Sequence, residues 1–161
     1  MRIMIVGTVL LLLACLCVPV AAVTNHVNST IFKIQFDTEN DITIRNASFY
    51  DQGRPVLAVV FKDIINNTFG QIAFRRFSDV PTTSYLNSQC FQEIEKKYGV
   101  DSSRNILFNG DNVTAVTTYD RTRGRNITQA NIGFGHDVVT LIVKAEDFER
   151  VLGSFKYSAI S

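Results

Sequence analysis

The sequence predicts an α+β domain: a mainly antiparallel β-sheet or sandwich of about seven or eight strands, with one amphipathic helix packed on it and a short C-terminal helix. Three observations lead to this fold class. Residues 32–36 read FKIQF, so that apolar and polar side chains alternate as in a half-buried strand. Residues 56–61 and 138–143 are almost continuously apolar, which is typical of central strands covered on both faces. Residues 83–98 carry apolar residues at helical spacing.

The first predicted strand places Phe32, Ile34 and Phe36 on the core face. A polar leader that contains His26 precedes it, and we expect this leader to be flexible. After the turn DTEND, the pattern predicts that Ile42 and Ile44 also point inward. Strict alternation would then bury Asn46, which cannot carry a glycan in a core. Three explanations remain: the strand ends there, a bulge near Ala47 restores the register, or the acceptor is unused.

The main helix is expected to start after Pro81, with Thr83 or Ser84 as N-cap, and to stop at Gly99. Four residues of one face follow the spacing i, i+4, i+8 and i+12: Leu86, Cys90, Ile94 and Tyr98. This stripe should lie on the sheet, while the charged residues face solvent.

The remaining chain predicts a hairpin around residues 64–68, a second one at residues 109–111, and a basic turn at residues 121–125. His136 is placed at a tight turn between two strands. In the short closing helix, three side chains share an apolar face: Phe148, Val151 and Leu152.

Residues 1–22 have the features of a signal peptide: Arg2, an apolar run, and small residues before the expected cleavage site after Ala22. An uncleaved membrane anchor is the alternative, because the apolar run approaches the roughly 20 residues needed to span a bilayer. Cleavage leaves residues 23–161 as one secreted domain. It reduces the 16 Lys and Arg to 15, which equals the 15 Asp and Glu, so no overall field attracts nucleic acid.

Five N-x-S/T acceptor motifs support a secretory route and an extracellular glycoprotein. Their asparagines are Asn28, Asn46, Asn66, Asn112 and Asn126. Each one is an expected N-glycosylation site.

Cys90 is the single cysteine left after signal cleavage, so the domain is not a disulfide scaffold. Its position in mid-helix on the apolar stripe favours a packed, unreactive thiol, because burial raises a thiol pKa. An interchain disulfide that makes a homodimer is the alternative.

The sequence offers no strong catalytic or metal motif, and no cofactor is expected. A hydrolase would have to combine Cys90, His136 and either Asp137 or Asp111, but neighbours such as His136 and Asp137 point to opposite faces of a strand. We therefore expect a protein that is not an enzyme.

Arg121, Arg123 and Arg125 form a candidate patch for an anionic partner, although a solvated hairpin tip is the simpler interpretation. A glycan on Asn126 would shade the patch. The sequence thus predicts a non-enzymatic binding module for a protein or cell-surface partner. An extracellular carrier of a small apolar ligand is the alternative, and a secreted hydrolase is the less favoured one.

Overall fold

The computed structural model describes residues 22–46, 49–51, 54–63 and 69–160. The elements, in chain order, are β1 (Val23–Asn28), β2 (Phe32–Thr38), β3 (Ile42–Asn46), β4 (Phe49–Asp51), β5 (Arg54–Asp63), β6 (Phe69–Arg76), α1 (Thr83–Tyr98), β7 (Ser102–Phe108), β8 (Asp111–Asp120), β9 (Arg125–Phe134), β10 (Asp137–Lys144), α2 (Phe148–Ser154) and β11 (Lys156–Ala159). The predicted α+β class is confirmed, with more strands than expected.

The strands form two antiparallel sheets. The small sheet has the order β1-β2-β11, and the large sheet has the order β3-β5-β6-β10-β9-β8-β7, with β4 paired to β5. The nearly continuous apolar strand β10 lies at the middle of the large sheet, as predicted. Helix α1 packs on β8 and β9, and α2 packs on β2.

The main core lies between the two sheets. On β2, Phe32, Ile34 and Phe36 are buried while Lys33 is exposed, which confirms the alternation. These side chains meet the inner residues of the large sheet and the apolar face of α2 in one cluster. The buried face of α2 consists of Phe148, Val151 and Leu152, as the sequence predicts.

The prediction of a flexible polar leader is wrong, because residues 23–28 form strand β1. It pairs with β2 from Val23 opposite Thr38 to Asn28 opposite Lys33, and His26 lies exposed within it. Only Val27 of β1 is buried. Backbone hydrogen bonds hold such a strand, so its side chains carry little amphipathic signal.

Ile44 was expected to point inward, but 37% of it is exposed, while Ile42 is half-buried. The reason is the position of β3 at an edge of the large sheet. A three-stranded sheet cannot cover seven strands. The proposed bulge near Ala47 lies outside the described residues.

The apolar stripe of α1 is confirmed for Leu86, Cys90 and Ile94, which are buried, while Tyr98 is half-buried and packs against the same cluster. The N-cap is Thr82, one residue before the expected Thr83 or Ser84, and its hydroxyl accepts a hydrogen bond from the Tyr85 N–H at 3.2 Å. That bond satisfies one of the unpaired amides of the first turn. Gly99 ends the helix as predicted, with a φ of +78° that favours glycine.

The β7–β8 hairpin forms where the sequence predicts it. Asn109 and Gly110 have φ values of +51° and +89°, which suit the type I′ turn of a two-residue hairpin. The β5–β6 hairpin is also present, although its loop at residues 64–68 lies outside the described part of the chain.

Candidate functional site

Three of the expected glycosylation sites lie on described, exposed asparagines. Asn28 ends β1, Asn112 is the second residue of β8, and Asn126 is the second residue of β9. An exposed side chain at a strand end leaves room for a glycan. Asn46 ends β3 next to the undescribed residues 47–48, and Asn66 lies outside the described residues.

We expect the protein from a eukaryotic secretory host to lose mass when N-glycans are removed enzymatically. Asn112→Gln should lower the mass of the untreated protein by one glycan, because its exposed side chain is the expected acceptor. The control is Asn105→Gln, which changes an exposed asparagine outside any acceptor motif. Intact mass spectrometry measures both, and equal glycan masses for wild type and Asn112→Gln would contradict the assignment.

Cys90 is fully buried, with 0% exposure, between α1 and Val116 of β8. Its Sγ donates a weak hydrogen bond to the Gln129 carbonyl oxygen at 3.4 Å. Burial, with a smaller contribution from the Glu93 carboxylate, raises the pKa of the thiol to about 12. A thiol in this state is a poor nucleophile. The interchain disulfide stays a prediction, and it requires α1 to lift away from β8.

We expect the Cys90 thiol of the folded protein to react with iodoacetamide at pH 8 about 100-fold more slowly than in guanidinium, since burial and the raised pKa both suppress the thiolate. The matched control is Ser88→Cys combined with Cys90→Ala, which places a thiol on the exposed side of the same helix. Mass spectrometry follows alkylation. Equal native rates for Cys90 and the control thiol would show that α1 does not shield the cysteine.

The residues that a hydrolase would need are engaged elsewhere. Cys90 is buried on the face of α1 that packs on β8, and His136 is exposed in the β9–β10 turn. The carboxylate of Asp137 binds a guanidinium and a phenol, described below. Asp111 accepts a hydrogen bond from the Thr83 hydroxyl at 3.4 Å. Among the hydrogen bonds of the described residues, none joins two members of this group.

Asp137 organises a polar network that the sequence does not predict, in which the carboxylate is buried and the Arg76 side chain is 54% exposed. Its carboxylate accepts two hydrogen bonds from Arg76, at 2.6 and 3.0 Å, and one from the Tyr157 hydroxyl at 2.6 Å. The Arg76 bonds are the main reason that the pKa of Asp137 is lowered. Burial, followed by the bond to Asp137, raises the pKa of Tyr157. The network joins the small sheet to the large one.

The β8–β9 turn is built around Asp120, whose exposure is 0%. Its Oδ1 accepts hydrogen bonds from the N–H groups of Thr122 at 2.9 Å and Arg123 at 3.2 Å, and its Oδ2 pairs with the Arg123 guanidinium. Burial acts to raise the pKa of Asp120, but these bonds outweigh it and leave the pKa lowered. Gly124 completes the turn with a φ of +64°. The buried Asp120 carboxylate therefore holds the backbone of the turn in place.

The three arginines of the predicted patch play different parts. Arg123 is committed to Asp120, whereas Arg121 is exposed. Arg125 is half-buried and donates from Nε to the Arg123 carbonyl oxygen at 3.4 Å. Two of the three arginines thus help to shape the turn itself.

A glycan on Asn126 does not point toward Arg125, because neighbouring residues on a strand face opposite sides. Arg125 pairs with Asp120, and alternation places both on the face that carries α1. Asn126 pairs with Tyr119, on the face of the small sheet. The register therefore does not support the expected shading of Arg125 by this glycan.

Helix α1 ends close to this turn. The Gly99 carbonyl oxygen accepts a hydrogen bond from the Thr118 hydroxyl at 2.7 Å, two residues before Asp120. Lys96 and Lys97, in the last turn of α1, are exposed. Sequence reasoning missed this proximity, because only the packing of α1 on β8 reveals it. We use the name basic end for the exposed Lys96, Lys97 and Arg121 together with the half-buried Arg125.

A cleft of about 10 Å³ lies at the opposite end of α1, between Leu86, Asn131 and Gly133. This volume holds roughly one water molecule. It is far below the roughly 300 Å³ at which pockets for small organic ligands begin. The cleft therefore does not accommodate the apolar ligand of a carrier.

Within the described ranges, His, Cys, Asp and Glu do not gather in any group of three or more that could hold a metal ion. Helices of the same part of the chain are all too short or too polar to cross a membrane. No protein-family model matches the sequence, and no curated protein matches it at a significant level.

Proposed function

We propose that the protein is a secreted, N-glycosylated, non-enzymatic module that binds a protein or cell-surface partner through loops on a rigid β scaffold. The observation that carries this proposal is the ordered β8–β9 turn. Its residues Arg121–Gly124 are exposed, while the fully buried Asp120 fixes their backbone. A loop that is ordered before binding loses less conformational entropy when a partner docks.

The filled core supports a binding module over a carrier. Between the two sheets, Phe36, Leu141 and Phe148 are fully buried and pack in one cluster. In the part of the chain that the structure describes, these side chains occupy the layer in which a small β-rich carrier would hold its ligand. The partner is then expected on the outer surface, where loops vary most freely.

The test measures binding of the fluorescently labelled, secreted protein to a panel of cultured cells by flow cytometry. We expect saturable binding to at least one cell type. Replacement of Arg121–Gly124 by four Gly and Ser residues should weaken it about tenfold or more, because the flexible turn loses both order and charge.

The matched control is Lys33→Gln with Lys156→Gln, which removes two exposed charges from the outer face of the small sheet. Absence of saturable binding to every cell type would overturn the proposal. Extraction of a lipid at near-equal molar ratio would also overturn it, in favour of the carrier. Undiminished binding by the flexible-turn variant would rule out this turn as the binding loop.

A further inference from the structure

We infer that the basic end is a binding site for a sulfated polysaccharide, held by Arg121 and Arg125 of the β8–β9 turn and by Lys96 and Lys97 of α1. This inference rests on the proposed function and names the chemical class of its partner. It goes beyond the three arginines of the sequence motif, because it adds two lysines from a distant part of the chain and assigns Arg123 to structure.

The contacts of β8 bring the C-terminal end of α1 to the end of the sheet that carries the β8–β9 turn. Thr118 bonds to Gly99, and alternation puts Thr118 and Asp120 on the same side of β8. Arg125 lies opposite Asp120 in the neighbouring strand. Two residues along a strand span about 7 Å, so the end of α1 and the start of β9 meet over a short distance.

The acids of this region do not cancel the positive charge. Asp120 is buried and paired with Arg123. Glu95 on α1 and Asp101 after it are exposed, and the Asp101 N–H bonds to the Thr117 carbonyl oxygen at 3.0 Å, which holds this acid near β8. Glu93, a third exposed acid on this part of α1, pairs with Arg75 at 3.5 Å and accepts a hydrogen bond from the Gln129 amide at 3.0 Å. Four cations therefore face two exposed acids besides Glu93. The carbonyl end of α1 is also partly negative, and its two lysines offset that charge.

The expected glycans on Asn112 and Asn126 leave the site open. Asn126 is adjacent to Arg125 in sequence, but its side chain lies on the face of the small sheet. Asn112 lies near the opposite end of β8, next to the β7–β8 turn. Neither glycan projects from the α1 face at the basic end, so a long anionic chain can approach this surface.

Sulfate groups suit these donors. A guanidinium binds an oxyanion through two parallel N–H donors, and an ammonium binds it as a compact charge. The four cations are spread over a helix end and a turn. Such an arrangement suits the sulfate groups that repeat along a polysaccharide better than it suits one small anion. The secreted domain has equal numbers of acids and bases, so binding depends on this local cluster and not on an overall field.

The test uses immobilised heparin and the full secreted protein, with the Kd measured at several NaCl concentrations. We expect a Kd that rises with salt, since exposed charges are screened. Lys96→Gln with Lys97→Gln, and Arg121→Gln with Arg125→Gln, should each weaken binding about tenfold or more at physiological salt. Lys33→Gln with Lys156→Gln removes the same number of charges elsewhere and should leave the Kd within about twofold.

Arg125 contributes to the turn, so thermal unfolding of each variant is recorded. If Arg125→Gln unfolds the turn, Arg121→Gln alone, at an exposed position, and the lysine pair carry the test. An equal loss of heparin affinity in the control pair would overturn the inference, because it would indicate general electrostatic attraction and not a localised binding site. The inference would also be overturned, in favour of nucleic acid, if a single-stranded DNA oligonucleotide bound as tightly as heparin and the same variants lost this binding.

Cells treated with heparinase and chondroitinase separate this inference from the proposed function. Loss of cell binding after treatment supports the polysaccharide site. Cell binding that persists after treatment overturns the inference and leaves the proposed binding module in place. Heparin binding that the basic-end variants lose, without saturable binding to untreated cells, overturns the proposed function and supports the polysaccharide site.

Discussion

Phe36→Ala is expected to lower the free energy of unfolding by about 3–5 kcal/mol, the range observed when a fully buried aromatic side chain is truncated. Phe36 is 0% exposed and belongs to the core cluster between the sheets. Its removal leaves a cavity that the three strands of the small sheet cannot close, because β2 is held on both sides by β1 and β11.

Urea unfolding followed by circular dichroism measures this effect. The control is Lys33→Ala, which shortens an exposed side chain on the opposite face of the same strand and should change the free energy of unfolding by less than about 0.5 kcal/mol. A similar loss in both variants would mean that the small sheet does not pack on the large one as described.

Asp137→Asn is expected to lower the free energy of unfolding by about 2 kcal/mol near pH 7, because a buried carboxylate that accepts charged hydrogen bonds is replaced by a neutral amide. Asp137 is 4% exposed and bonds to both Arg76 and Tyr157. The amide presents donors where two donors already point, so at least one bond to the network is lost.

The effect of Asp137→Asn should depend on pH in one direction. The bonds from Arg76 lower the pKa of Asp137 in the folded protein below its unfolded value of about 3.9. A carboxyl group with a lowered folded pKa stabilises the protein above the unfolded pKa, and this contribution is lost as pH falls through the folded pKa. The difference between wild type and Asp137→Asn should therefore be constant near neutrality and shrink below about pH 4.

Chemical denaturation between pH 3 and pH 8 provides the measurement. Asp41→Asn serves as the control, because it neutralises an exposed carboxylate at the β2–β3 turn. A stability difference for Asp137→Asn that grows toward low pH, or that matches the control at every pH, would be inconsistent with a carboxylate held ionised by Arg76.

The elements with strong side-chain periodicity could be predicted from the sequence. Residues 32–36 and the α1 stripe each bury one face and expose the other, so the pattern reports the packing directly. Strands β1 and β11 were missed because their pairing to β2 rests on backbone hydrogen bonds, with few buried side chains to mark it. Ile44 was misplaced because a periodic pattern does not reveal that β3 is an edge strand.

The candidate site was only partly predictable for a related reason. The motif at residues 121–125 is visible as a run of arginines, but its division into Arg123, which orders the turn, and Arg121, which is exposed, depends on the burial of Asp120. Lys97 comes near the turn only through the bond between Gly99 and Thr118. The network of Arg76, Asp137 and Tyr157 joins three strands and leaves no spacing signal in the chain.

Strand β2 accepts its two partners at very different times during synthesis. Its neighbour β1 precedes it in the chain, so that hairpin can form as soon as both strands emerge, whereas β11 (Lys156–Ala159) is translated after the whole large sheet. Until then the apolar inner face of the large sheet lacks its complete cover, and a nascent chain in this state is prone to aggregate. The protein should therefore reach its protease-resistant form only after β11 has left the ribosome.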